Sequence, residues 1–148
     1  MNMMVGTMAM AARFSPAERL TIVTTVLALV HHVDHVLRVD NDGWPFRSEV
    51  TLFSYSFLVY GILAAVWHAR GLPWLRVGTS ATLALFVTLT HVWLDAPSAQ
   101  YVTWAARPEA NWLAASSPVL GVMSVALTFL VPVAAGMVFV AFVRSRGV

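Results

Sequence analysis

Four apolar segments, each long enough to cross a lipid bilayer, set the strongest constraint on this chain. Crossing about 30 Å of hydrocarbon takes roughly 20 apolar residues in a helix. The four segments cover residues 18–38, 49–69, 73–95 and 118–143. We therefore predict an all-α integral membrane protein, a four-transmembrane-helix bundle that forms a single membrane domain over residues 1–148.

The composition also favours a lipid environment. Of the 148 residues, 59% are hydrophobic and 11% are charged, whereas soluble domains average about 45–50% apolar and about 25% charged residues. A soluble domain of this size would leave much of its apolar surface in water. The nine basic residues are scattered along the chain, so we expect no nucleic-acid partner. The chain has no Cys, which excludes disulfides and thiolate metal sites.

The distribution of arginines predicts the orientation of the chain in the membrane. Cytoplasmic loops of membrane proteins carry an excess of basic residues. One side of the predicted bundle carries six of the nine, namely Arg13, Arg19, Arg70, Arg76, Arg144 and Arg146. The other side carries Arg38, Arg47 and Arg107. We therefore place both termini in the cytoplasm (N-in, C-in). The predicted location is the bacterial cytoplasmic (inner) membrane, whose lipid bilayer surrounds the chain as a partner.

Ionisable residues are concentrated at the outer ends of the first and third segments. The first segment carries His31 and His35, and the third carries His91 and Asp95. In each pair the residues are four apart and therefore share one helix face. Both helices run outward, and at about 1.5 Å per residue the four side chains lie at similar depth. Ionisable residues inside a membrane are energetically expensive, and they usually mark a functional site.

These pairs predict a metal site with supporting groups around it. We expect His31, His35, His91 and Asp95 to bind one divalent transition metal, zinc or else iron or manganese, because imidazole and carboxylate suit such ions. Four nearby residues are predicted to assist catalysis. They are Asp34, which could orient a ligating imidazole; Arg38, which could pair with an acid or an anionic group; and His32 and Tyr55, which lie at the same depth.

The loop between the third and fourth segments, residues 96–117, is longer than a simple connection requires. Ser98 and Pro108 could each begin a short helix, and Tyr101 and Trp104 supply aromatic anchors. We predict an interfacial helical loop over the outer end of the bundle. It would act either as a lid over the polar site or as a passive anchor.

The function that this pattern favours is a membrane-embedded, metal-dependent enzyme, a hydrolase or an isomerase. A site near the outer leaflet implies a lipid-like or other apolar small-molecule substrate. Two alternatives stay open. Histidines on facing helices could bind haem or another cofactor, or the His and Asp residues could only link helices by hydrogen bonds. The sequence also leaves a homodimer open.

Overall fold

The computed structural model describes residues 14–38, 52–94, 97–105 and 116–145. These residues form helices and short turns without any strand, so the all-α prediction is confirmed for this part of the chain. The helices are α1 (Pro16–Arg38), α2 (Leu52–Ser56), α3 (Leu58–His68), α4 (Pro73–Leu89), a π-helical turn (Thr90–Leu94), α5 (Pro97–Ala105) and α6 (Ser117–Arg144).

Within the part of the chain that the structure describes, three helical stretches are long and apolar enough to cross a membrane. They are Pro16–Leu37, Pro73–Trp93 and Ser117–Arg144. The second predicted segment is described only from Leu52, and a turn at Phe57 divides it into α2 and α3. Its continuous apolar stretch, Ser54–His68, is shorter than the other three.

Helix α6 lies at the centre and packs against α1, α4 and α5. Its buried positions recur every three or four residues, the spacing of a helix seam. They are Ser117, Gly121, Ser124, Thr128, Val131, Ala135, Val138 and Phe142, with Ala134 buried beside Ala135. Most of these side chains are small, which lets helices approach closely, as in membrane bundles.

Large apolar side chains cover the outside of the helices. Val26, Leu85 and Phe129 are each more than half exposed, on three different helices. Trp74 and Trp93, near the two ends of the same helical stretch, are 78% and 81% exposed. An apolar exterior with Trp at the ends is the pattern that a lipid solvent favours.

A half-buried carboxylate joins several elements at one end of the bundle, which we call the Glu18 end. Glu18 and Ser15 form a capping box, in which Ser15 N donates to Glu18 Oε2 (2.9 Å) and Glu18 N donates to Ser15 Oγ (3.2 Å). Arg70 Nε and Arg76 Nη2 both donate to Glu18 Oε1, at 3.0 and 3.1 Å. The Arg76 guanidinium also lies over the Phe142 ring, 4.6 Å from its centroid. These contacts tie α1, the α3–α4 turn, α4 and α6 together.

Contacts at the opposite end, which we call the histidine end, fix the direction of each helix. His31 of α1 contacts His91, which follows α4, and Asp34 of α1 contacts Ser124 near the start of α6. Therefore α1 and α4 run from the Glu18 end to the histidine end, whereas α3 and α6 run back.

We expect Glu18→Gln to lower the free energy of unfolding by about 1–3 kcal/mol, because the substitution removes the charge that two arginines share in a largely buried position. The measurement is a denaturation curve of the protein in detergent micelles. Arg144→Gln, at an exposed position at the end of α6, is the control and should leave stability within about 0.5 kcal/mol. Equal stability of Glu18→Gln and wild type would contradict the clamping role of Glu18.

Candidate functional site

Three imidazoles meet inside the bundle at the histidine end. His31 Nε2 lies 2.8 Å from His91 Nε2 and 3.1 Å from His35 Nε2. His31 and His91 are buried, and they come from α1 and from the π-helical turn after α4. The structure thus brings together three of the four predicted metal ligands. The fourth, Asp95, lies outside the described residues.

The local backbone helps to fix the protonation of His91. Helix α4 continues into a π-helical turn, a wider turn that often occurs at functional sites. His91 Nδ1 lies 2.7 Å from the carbonyl oxygen of Val87. A ring nitrogen this close to a carbonyl must carry the proton and donate it, which leaves Nε2 of the neutral ring as an acceptor. His31 Nε2–H then donates to His91 Nε2.

The spacing of the three rings corresponds to hydrogen bonding. Two imidazoles bound to one tetrahedral zinc ion, with Zn–N bonds of about 2.0–2.1 Å, have their nitrogens about 3.3 Å apart. The two measured distances are shorter, and within the described residues no group of three or more His, Cys, Asp or Glu is arranged to hold a metal ion. His31 Nε2 is the common partner of the other two Nε2 atoms. An outward shift of about 0.5 Å at the His31–His91 contact and about 0.2 Å at the His31–His35 contact would give these two pairs the spacing of ligands.

The same contact bears on haem as a cofactor. Axial ligation by two histidines places the porphyrin between two facing imidazoles. His31 and His91 are in direct contact, with ring centroids 4.7 Å apart. A porphyrin between them would require α1 and the π-helical turn to separate, so this arrangement suits a small ion better than haem.

His32 faces a different neighbour from His31. Its Nε2 lies 2.8 Å from Ser56 Oγ at the end of α2. Its Nδ1 lies 2.9 Å from the Ala28 carbonyl oxygen and 3.0 Å from the Tyr60 hydroxyl of α3. Its ring centroid is 6.2 Å from that of His35. His32 therefore forms a second polar site between α1, α2 and α3.

Asp34, predicted to orient a ligating imidazole, accepts hydrogen bonds from side chains of α5 and α6. Its Oδ1 accepts a hydrogen bond from Trp104 Nε1 (2.9 Å), and its Oδ2 accepts one from Ser124 Oγ (2.6 Å). Ser124 Oγ lies 3.1 Å from Gln100 Oε1, to which the Thr128 hydroxyl donates at 2.6 Å. All five side chains are buried, and we call them the Asp34 network.

The Asp34 network changes the interpretation of α5. The predicted loop does contain a helix, Pro97–Ala105, close to the expected start at Ser98. Its Gln100 and Trp104 side chains are buried in the bundle and not spread over its surface. The helix is therefore fixed to α1 and α6 by hydrogen bonds. The second helix start expected in this loop, Pro108, lies outside the described residues.

Two further predicted residues lie at the margin of the site. Tyr55 of α2 is 57% exposed, whereas its neighbour Ser56 contacts His32. Arg38 is the last residue of α1, and its side chain lies outside the described part of the protein. The structure therefore does not bring Tyr55 into the contacts between the three imidazoles.

Sequence reasoning missed several polar residues of these sites. They are Ser56, Tyr60, Gln100 and Thr128, together with the hydrogen-bonding role of Trp104. For two of these residues the sequence contained a signal. Thr128 follows Ser124 by four residues on one helix face, and Gln100 is the only Gln in the chain. No protein-family model, curated protein or solved structure matches this chain.

We expect Asp34→Leu to destabilise the protein by about 1–3 kcal/mol, because it leaves the buried Trp104 N–H without its acceptor. The measurement is amide hydrogen exchange of residues 97–105, which should become faster as α5 detaches. Asp34→Asn is the matched control and should have a smaller effect. Its amide oxygen still accepts from Trp104, and the Ser124 hydroxyl can turn toward Gln100. Unchanged exchange in Asp34→Leu would show that the carboxylate does not hold α5.

Proposed function

We propose that this chain is a four-span integral membrane protein that binds a divalent transition metal at its histidine end and acts as a metal-dependent hydrolase or isomerase on a lipid-like substrate. The observation that carries the proposal is the convergence of His31, His35 and His91 from two helices inside an apolar bundle. Ionisable groups in such a position are expensive, so their convergence favours a function over chance.

Four spans and an N-in, C-in orientation are supported by length and charge. The 17 residues from Leu52 to His68 cover about 25 Å as helix, and the predicted segment adds three residues before them. The contacts at the Glu18 end gather Arg70 and Arg76 with Arg19 nearby on α1. A concentration of arginines at one end favours the cytoplasmic side for that end and the outer leaflet for the histidines.

Zinc, iron or manganese would be held by His31, His35 and His91, with Asp95 as the fourth ligand, one turn beyond His91 in sequence. When bound, such an ion would polarise a carbonyl group or activate a water molecule. The chain's own part is to fix the rings. The Val87 carbonyl oxygen accepts a hydrogen bond from His91 Nδ1–H, which keeps the Nε2 lone pair directed at His31.

The rest of the bundle supports a site with access from one side only. Between the histidines and the Glu18 end lies a core of Ala28, Leu83, Val87, Val131 and Ala135. These residues offer no polar side chain to a permeating ion. An enzyme site that takes an apolar substrate from the bilayer fits this arrangement better than a transport pathway does.

We expect purified protein in detergent to contain about one transition-metal ion per chain. His31→Gln or His91→Gln should weaken metal affinity at least tenfold, because the loss of a ligand should exceed the 10–100-fold effect of losing a residue that supports a ligand. The measurement is elemental analysis by plasma mass spectrometry after dialysis against limiting metal. His68→Gln is the matched control, because His68 is exposed at the opposite end of the bundle.

Metal content that is the same in wild type, His31→Gln and His91→Gln would rule out the site. Folded wild-type protein that stays metal-free after incubation with zinc, iron(II) and manganese would do the same, and would leave the three imidazoles as a hydrogen-bonded link between α1 and α4.

A further inference from the structure

We infer that Ser56 and His32 form a nucleophile–base pair that transfers the acyl group of a long-chain carboxylic ester, at a site separate from His31, His35 and His91. Ser56 Oγ lies 2.8 Å from His32 Nε2, within the reach that a serine nucleophile needs of its general base. The inference rests on hydrogen-bond geometry and does not depend on the metal.

The hydrogen bonds of His32 select the tautomer that a base requires. Nδ1 lies 2.9 Å from the Ala28 carbonyl oxygen, which can only accept. A bare ring nitrogen there would face the carbonyl lone pairs, so Nδ1 carries the proton and Nε2 is the acceptor. The Ser56 hydroxyl then donates to Nε2. In catalytic triads a third group, usually a carboxylate, orients the base. Here the backbone carbonyl of Ala28 takes the place of that carboxylate.

The helical segment is interrupted beside this pair. Ser56 is the last residue of α2, and the turn at Phe57 separates it from α3. Ser56 is half-buried, so its hydroxyl is held in place but not sealed in the core. The Tyr60 hydroxyl, 3.0 Å from His32 Nδ1, is a further polar group beside the pair and can donate to a substrate oxygen.

A groove between α1 and α3 suggests the kind of acyl chain. It has a volume of about 410 Å³, within the range of ligand sites. Its lining includes Tyr60, Ala64 and Trp67 of α3. Thr21 and Thr25 also line it, but their hydroxyls donate to the carbonyls of Ala17 and of Thr21. His68 lies at the far end of the groove, beyond Trp67. Between Tyr60 and Trp67 the groove offers few polar groups and suits an uncharged alkyl chain.

Since Tyr60 both lines the groove and contacts His32, a substrate can place its ester at Ser56 and its chain between α1 and α3. Ala64 and Trp67 lie four and seven residues after Tyr60, about 6 and 10 Å further along α3. Only a long chain reaches that depth, so chain length is the specificity that the groove predicts.

The reaction balances without a redox partner. Ser56 Oγ forms a bond to the ester carbonyl carbon as its proton moves to His32 Nε2. The bond to the leaving alkoxy oxygen then breaks, and that oxygen takes the proton from His32 and departs as an alcohol. Water, activated by His32 in the same way, releases the carboxylic acid and restores the Ser56 hydroxyl.

The test uses alkyl fluorophosphonates, which phosphonylate activated serines with loss of fluoride. The full-length protein is purified in detergent, and labelling is followed by intact mass and mapped by peptide mass spectrometry. We expect one adduct on Ser56, formed at least tenfold faster with a hexadecyl than with an ethyl reagent. His32→Gln should slow labelling about 100-fold or more, the usual contribution of a general base.

Three controls separate chemistry from folding and from the metal. Ser54→Ala, two residues earlier in α2, should be labelled at the wild-type rate. Ala64→Phe, which fills the groove, should slow labelling by the hexadecyl reagent far more than labelling by the ethyl reagent, and so remove the preference for the longer chain. Circular dichroism and thermal melting of each variant verify the fold, and each rate is measured with and without a chelator.

An adduct on Ser56 that depends on His32 and persists with the chelator supports the pair, even if the protein proves to bind no metal. Folded protein without an adduct on Ser56 would overturn the inference, as would an equal rate in His32→Gln. Labelling that the chelator abolishes would overturn the independence of the two sites. An absence of chain-length preference would refute the groove as the acyl site.

Discussion

Polar groups inside a bundle with an apolar exterior must find their partners within the protein, and this requirement shapes the histidine end. Successive residues of a helix point about 100° apart. On α1, His31, His32 and Asp34 therefore face three directions, and each meets a different neighbour. His31 meets His91, His32 meets Ser56 and Tyr60, and Asp34 meets Trp104 and Ser124. One turn of α1 thereby links most of the other helices by hydrogen bonds.

The two ends of the bundle use charge differently. At the Glu18 end, a single carboxylate accepts from two guanidinium groups and from a backbone N–H, which ties the helix ends together. At the histidine end, imidazoles and hydroxyls bring nitrogen and oxygen atoms close together, and the groove between α1 and α3 runs from Tyr60 near this end toward Trp67 and His68. The first arrangement stabilises the fold, whereas the second can support chemistry. The apolar core between them separates the two.

Helix positions could be predicted from the sequence because apolar length and proline punctuation are local signals. The predicted segments 73–95 and 118–143 agree closely with the stretches Pro73–Trp93 and Ser117–Arg144. The face shared by His31 and His35 followed from their spacing of four residues. The turn at Phe57 has no such signal, since neither Gly nor Pro marks it. It depends on how α2 and α3 pack.

The partners of each polar residue could not be predicted, because they depend on helix rotation and contacts distant in sequence. Asp34 and Trp104 are 70 residues apart, and His31 and His91 are 60 apart. Apolar loop residues such as Ala and Trp suggested a helix on the surface. One face of α5 is instead buried, where the Gln100 amide oxygen accepts a hydrogen bond from Thr128 and Trp104 Nε1 donates to Asp34. Local sequence patterns thus predict which residues share a helix face, but the neighbouring helices determine which face is buried.

The adjacent residues His31 and His32 show how one short segment can hold two kinds of chemistry. His32 directs Nδ1 to a carbonyl and Nε2 to a hydroxyl, so it would have to give up Ser56 before it could bind a metal ion. His31 directs Nε2 to the Nε2 atoms of His91 and His35. A step of one residue along α1 therefore places the His31 ring against other imidazole nitrogens and the His32 ring against Ser56. His35 lies between them, 4.5 Å from the first ring centroid and 6.2 Å from the second, so a change at either site has a physical route to the other.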